Sequence, residues 1–305
     1  MNKKVLALVL AIVMMLSFAA CGGNGGDTTT AAGDTTAAGE TTAAEDKTTA
    51  EDTSAAEDAT AEAGESDLAY IQNKGEMVIG YTLFAPMNYE DDNGELTGFE
   101  TEFAKAVCKE LGVTPKFQLI VWDSKETELK SKSIDCIWNG MTINDDLEKN
   151  LSISTPYMAN KQVLIVKKEN ADKYLKAEDM KNANIVAEKG SAGERTAQTN
   201  EFFAGANYTA VEDQQTALME VFGNKADGCV VDYVLSIGMI GEGTSYEDLV
   251  VVDSLAFEPE QYGIAFRKGS DVTAKVNEAI TKLVESGELQ KIAEKYKLAE
   301  QIIAK

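Results

Sequence analysis

The chain contains no histidine and only two arginines, Arg195 and Arg267. Without histidine the commonest general base and metal ligand is missing, and no serine or cysteine stands beside a base. No cluster of residues has metal-ligand spacing, so neither a metal nor another cofactor is expected. An Asp, Glu or Lys base stays open, but an enzyme is not the expectation. With a net charge of −23 and no cluster of Lys and Arg, the chain has no footprint for phosphate contacts, which excludes a nucleic-acid partner. Beyond the first 21 residues no apolar run is long enough to span a membrane.

What is present begins with an export signal over residues 1–21. Lys3 and Lys4 supply the charged start, and Val5 to Phe18 form an apolar core too short for an ordinary span. Ala19-Ala20-Cys21 resembles a bacterial lipobox, with Phe18 where leucine is usual. That resemblance implies cleavage before Cys21 and lipidation of its thiol; the alternative is a plain signal peptide cut near Ala20. Residues 22–66 are almost entirely Gly, Thr, Ala, Ser, Asp and Glu, so no core can form and disorder is expected. Eleven acids against Lys47 put −10 on this tract (1 − 11), and self-repulsion extends it into a tether.

The remainder, residues 67–305, is long enough for one large domain or two linked lobes. Its three cysteines, Cys108, Cys136 and Cys229, read as buried thiols, with a Cys108–Cys136 bridge as the alternative. Met77–Tyr81 and Lys116–Val121 read as strands, and Thr101–Leu111 as a helix with Phe103, Ala104, Val107 and Leu111 on one face and Gly112 at its end. Lys125–Lys130 reads as helix and Ile134–Trp138 as a buried strand. A second unit follows, with strands at Gln162–Val166, Ile185–Ala187 and Gly228–Val231 and a helix at Gln214–Phe222. Tyr262–Lys268 then reads as a strand, and Val272–Glu285 and Leu289–Tyr296 as a helix pair broken at Ser286-Gly287. This alternation implies α/β lobes with mostly parallel sheets.

Ser133–Tyr157 is the most telling stretch: its strand breaks into Asn139-Gly140-Met141-Thr142, a polar turn placed where open α/β sheets bind ligands. Ala85-Pro86, Gly98-Phe99-Glu100, Ile134–Thr142, Gly190-Ser191-Ala192 and Asp232 stand in the order found in the amino-acid-binding proteins of bacterial ABC importers, solute-binding family 3. The chain from 67 to 305 resembles that family. The resemblance implies a type II periplasmic-binding-protein-like fold: two lobes, each a mostly parallel sheet flanked by helices, joined by two crossing strands. The first lobe would hold 67–159 plus 258–305, and the second 160–257.

It also implies a ligand site in the cleft. Asp232 matches the position that pairs with a ligand ammonium, a partner that a desolvated carboxylate demands; the alternative is that it caps the helix starting near Tyr233. Phe84 and Trp122 match pocket walls that can stack on a substrate or attract its cation, while Trp138 reads as core. The backbone of Asn139 and Gly140, beside Met141, would accept from the ammonium. Thr142 and the amides near Ser191 and Ala192 would donate to a carboxylate at a helix N-terminus, Ser191 as a simple cap being the alternative. One position departs: Leu147 stands where family members often carry an arginine that clamps the ligand carboxylate. Arg195 is the candidate substitute, or else a solvated surface charge.

The expected function is therefore that of a monomeric, lipid-anchored, extracytoplasmic receptor that closes on a small polar solute, an amino acid or a relative of one, and passes it to ABC permease subunits. The alternatives are a sensor feeding a signalling partner and a binder of amines lacking the carboxylate. The fold occasionally carries dehydratase chemistry in the family.

Overall fold

The computed structural model describes residues 66–305 apart from Ala256. The expected export signal, Cys21 and the tether up to residue 65 lie outside the described residues. No helix among the described residues is long and apolar enough to cross a membrane.

Two sheets form. The first runs in the spatial order Thr114–Leu119, Glu76–Tyr81, Cys136–Ile137, Ala265–Arg267, Leu151–Ile153. Its first three strands are parallel, and Ala265–Arg267 runs antiparallel to both its neighbours. The second runs Leu249–Val251, Met158–Lys167, Gly228–Asp232, Asn184–Glu188, Asn207–Val211. There the last three strands are parallel and the first two antiparallel. Each lobe thus has a parallel heart whose first-traversed strand lies between the next two. The strand order reverses at the carboxyl ends of Glu76–Tyr81 and Asn184–Glu188, where such sheets leave a crevice.

The long strand Met158–Lys167 ties the lobes together. Its Met158–Lys161 half pairs antiparallel with Pro259–Tyr262, and its Gln162–Lys167 half enters the second sheet. The segment expected as one strand, Tyr262–Lys268, is split because the Gly263 amide turns to donate to the Met141 carbonyl at 3.1 Å. Thr142 bridges Tyr262 beside it. The polar turn is thereby stitched to one of the two connecting strands.

One core cluster runs through both lobes, from Phe99 and Phe103 through Met158 and Tyr262 to Val163, Leu218 and Cys229. Helix Phe99–Leu111 lays Phe99, Phe103 and Val107 onto the first sheet, and Trp138, 1% exposed, meets the Phe103 ring edge-on at 5.0 Å. Helices Val272–Glu285 and Glu288–Lys295 return the chain to this lobe and pack on the same helix. Leu164, Val166, Ile185, Val230 and Phe203 form a second core. Cys108, Cys136 and Cys229 are buried free thiols, so the Cys108–Cys136 bridge does not form. Burial pushes the Cys108 thiol up to about 12, which makes it a packing residue and no nucleophile.

Helix Phe99–Leu111 starts two residues before the expected Thr101 because loop carbonyls cap it. Phe99 N donates to Pro86 O at 2.9 Å and Glu100 N to Met87 O at 3.0 Å. This close approach depends on Gly98, at φ 119°, where a Cβ would land 2.2 Å from Met87 O. Gly98→Ala is expected to lower stability by about 3 kcal/mol through strain and overpacking. A denaturant midpoint equal to wild type would refute that assignment.

Candidate functional site

A cavity of about 980 Å³ lies between the two sheets. The first lobe contributes Trp122, Lys125 and the Asn139–Leu147 turn. The second contributes Glu188, Asp232, Gln214 and the start of helix Ala192–Thr199, and the connecting strand adds Glu260. The lobes touch at the rim. Lys125 Nζ donates to Gly190 O at 2.9 Å across the cleft, and Lys189 pairs with Asp123 at 3.0 Å. The second pair is exposed and contributes little.

Asp232 ends its strand inside this cavity and is 5% exposed. It occupies the cap position before helix Tyr233–Met239, yet its side chain caps no amide. Its carboxylate instead accepts from Asn160 Nδ2 at 2.5 Å, Gln162 Nε2 at 2.8 Å and Gln214 Nε2. The helix-cap alternative is thus overturned: three neutral amides hold the group in place. Glu260 shares two of those donors, Asn160 at 3.0 Å and Gln162 at 2.9 Å. Burial pushes both carboxyls above the usual range, and the Asp232 charge adds to the rise at Glu260. Neutral amides orient a carboxylate but do not neutralise it, so the pair attracts a cation.

The polar turn is held from behind. Gly140 N donates to both Glu100 oxygens, at 2.9 and 3.1 Å, and Asn88 Nδ2 and the Tyr157 hydroxyl donate to the same carboxylate. The Asn139 side chain is spent on Thr82, accepting its hydroxyl at 2.6 Å and donating to its carbonyl at 3.0 Å. Among the described residues no donor reaches the Asn139 or Gly140 carbonyl, so both remain acceptors at the cavity. Gly140, at φ 54°, sits so close to the Phe84 ring that a Cβ would lie 2.5 Å from it.

Trp122, Asn139, Gly140, Met141, Thr142, Ser191, Ala192, Arg195 and Asp232 therefore line one cavity. Phe84 does not: it is 3% exposed and packs behind the turn in the core, because Gly140 offers no side chain to displace it. The Thr142 hydroxyl, expected to serve a ligand carboxylate, donates to Glu260 Oε2 at 3.1 Å, a half-buried acid on the returning strand. Ser191 caps its helix by accepting from Glu194 N at 3.0 Å, leaving the Ala192 amide at the cavity. Leu147 lines the rim, half-buried, with its amide on Asn144 Oδ1. Arg195 is exposed on the opposite wall, and among the described residues no carboxylate pairs with it.

Six contributors were not singled out in the sequence as site residues: Glu260, Glu188, Lys125 and the amide trio of Asn160, Gln162 and Gln214. A signal existed for two of these, since Asn160 and Gln162 lie in the polar triplet Asn160-Lys161-Gln162 directly before a buried apolar strand. Among the described residues no group of His, Cys, Asp and Glu is arranged to hold a metal.

Two sheeted lobes, two connecting strands and a polar cleft between them define a receptor that encloses a small solute. The family model for bacterial extracellular solute-binding proteins, family 3, matches residues 77–299, and the chain belongs to that family. It is similar to the L-cystine-binding protein TcyJ of Escherichia coli K12, at 30% identity over 77% of this chain and 87% of the relative. It is similar to the L-arginine-binding protein of Pseudomonas aeruginosa, at 30% identity over 70% and 84%. Among solved structures it resembles the ancestral amino acid-binding protein AncCDT-1, described as a precursor of cyclohexadienyl dehydratase. That match has 31% identity and a TM-score of 0.68 over 76% of this chain and 99% of the other.

Burial raises Glu100 from 4.5 to about 7, despite the donors that oppose the rise. Glu188, Asp232 and Glu260 move in the same direction. The folded state thus keeps these protons to higher pH than the unfolded chain does. Stability falls as pH rises from about 4.5 to 7, with roughly 3 kcal/mol from Glu100 alone. Glu100→Gln should flatten part of that slope in thermal melts across the window. Melting temperatures that climb through it in the wild type would contradict the sign.

Proposed function

We propose that this chain is the solute receptor of an ABC importer and that it binds an amino acid or a close amine relative by hinge closure. The reading assigns 67–159 plus 258–305 to one lobe and 160–257 to the other, with the Met158–Lys161 and Pro259–Tyr262 ladder as the hinge. Lipidation of Cys21 would hold the receptor at the outer face of the cell membrane, and the 22–66 tether would let it reach permease subunits.

One observation carries the reading. Asp232 is buried at a cavity lined by both lobes and is held by neutral amides, with no cation among the described residues paired to it. A ligand ammonium placed there would supply the missing charge. The free carbonyls of Asn139 and Gly140 would accept its remaining protons from the other lobe. Contacts from both lobes to one group make closure depend on ligand, which is the signal a permease reads.

On the far side the Ala192 amide at the helix start and the Arg195 guanidinium form the available seat for a carboxylate. Leu147 contributes only apolar surface there.

Thermal-shift screening of the chain against amino acids and amines tests the assignment, because a ligand in excess raises the melting temperature. Asp232→Asn is expected to weaken any ammonium-bearing ligand by at least about 100-fold, the range for removing one partner of a buried charge pair. Wild-type affinity in that variant would sink the role of Asp232.

A further inference from the structure

Glu188 is the buried acid that the ammonium seat does not use. It ends strand Asn184–Glu188 at the point where the second sheet reverses its order, beside Asp232 at the end of the neighbouring parallel strand. It lines the cavity, is 3% exposed, and its Oε1 atom is buried with no hydrogen-bond partner. The adjoining Gln214 amide is already donated to Asp232.

Among the described residues no cation is in ion-pair contact with Glu188, although the Lys125 charge acts on it from nearby. Lys125 is the nearest, but its Nζ is spent on Gly190 O at 2.9 Å and Trp122 O at 3.3 Å and lies over the Trp122 ring. It forms no ion pair with Glu188 within 4.0 Å among the described residues. Glu188, Asp232 and Glu260 therefore face the cavity against one buried ammonium. Asp232 and Glu260 share amide donors and form one seat; Glu188 stands apart from those donors. Burying an acceptor with an open lone pair costs free energy unless a donor arrives, and a ligand in the cavity can bring one.

We propose that Glu188 reads a second cationic group on the ligand, so that the receptor selects molecules with two separated positive centres. The inference rests on the ammonium seat at Asp232 and adds the ligand class. Dibasic amino acids, a disulfide-linked diamino acid and diamines share this chemistry; the cavity of about 980 Å³ has room for any of them.

The test is calorimetric titration of the full chain with matched probes: L-arginine against L-citrulline, and L-lysine against L-norleucine. L-cystine and agmatine are added to separate the sources. Wild type is expected to prefer each dication over its neutral counterpart by at least about 10-fold, as a charge-assisted contact provides. Binding of agmatine would place a diamine among the ligands, and its failure beside arginine binding would require the carboxylate. Glu188→Gln should reduce the preference to within about 3-fold while neutral ammonium-bearing probes still bind. Glu188→Asp keeps the charge and should retain the preference in weakened form.

Equal affinity of wild type for the charged and neutral members of each pair would overturn the inference and leave the receptor reading intact. So would an undiminished preference in Glu188→Gln. Failure of every ammonium-bearing probe to bind would overturn both.

Discussion

The structure depends on carboxyl groups that are taken out of water with no cation of the described residues paired to them, so that they hold their protons to higher pH than in water. Asp232 and Glu260 are fixed by amides from Asn160, Gln162 and Gln214, the first two on the connecting strand Met158–Lys167 and the third at the start of helix Gln214–Phe222. Amide donors satisfy lone pairs and set orientation, but they leave the charge uncompensated in a low-dielectric site. The amides hold the acids ready and leave the charge partner to come from solution.

A second buried acid, Glu100, organises the other wall. It gathers the Gly140 amide, the Asn88 side chain and the Tyr157 hydroxyl. These three belong to the binding turn, the loop that caps helix Phe99–Leu111, and the residue just before the strand that crosses to the second lobe. The Gly263-to-Met141 and Thr142-to-Glu260 hydrogen bonds tie the same turn to the returning strand. Anything that pulls on the Asn139 and Gly140 carbonyls therefore acts on both connections. A ligand contact at the turn would thus be passed by hydrogen bonds to both connecting strands.

Local signals made much of this legible. Lys125–Lys130, Gln214–Phe222 and Val272–Glu285 have the bounds that their helical periodicity predicts. The Asn139–Thr142 turn and Ser191 follow strand ends that apolar runs announce. What stayed hidden depends on long-range pairing. Glu260 and Glu188 sit in ordinary-looking polar stretches, and only the register of Pro259 against Lys161, and of Ile185 against Gly228, buries them. Phe84 shows the reverse: a loop aromatic reads as a pocket wall, but the missing side chain at Gly140 let the ring fall into the core behind it. Thr142 was legible as a cleft residue, while its hydroxyl partner was not, because Glu260 arrives from 118 residues away.

If the cleft acids hold protons that a ligand cation displaces, binding must release protons. Titrating L-arginine into the protein near pH 6.5 in two buffers of different ionisation enthalpy measures that release directly. The account predicts a binding enthalpy that depends on the buffer, with a net release of protons. A buffer-independent enthalpy, or net uptake, would contradict it.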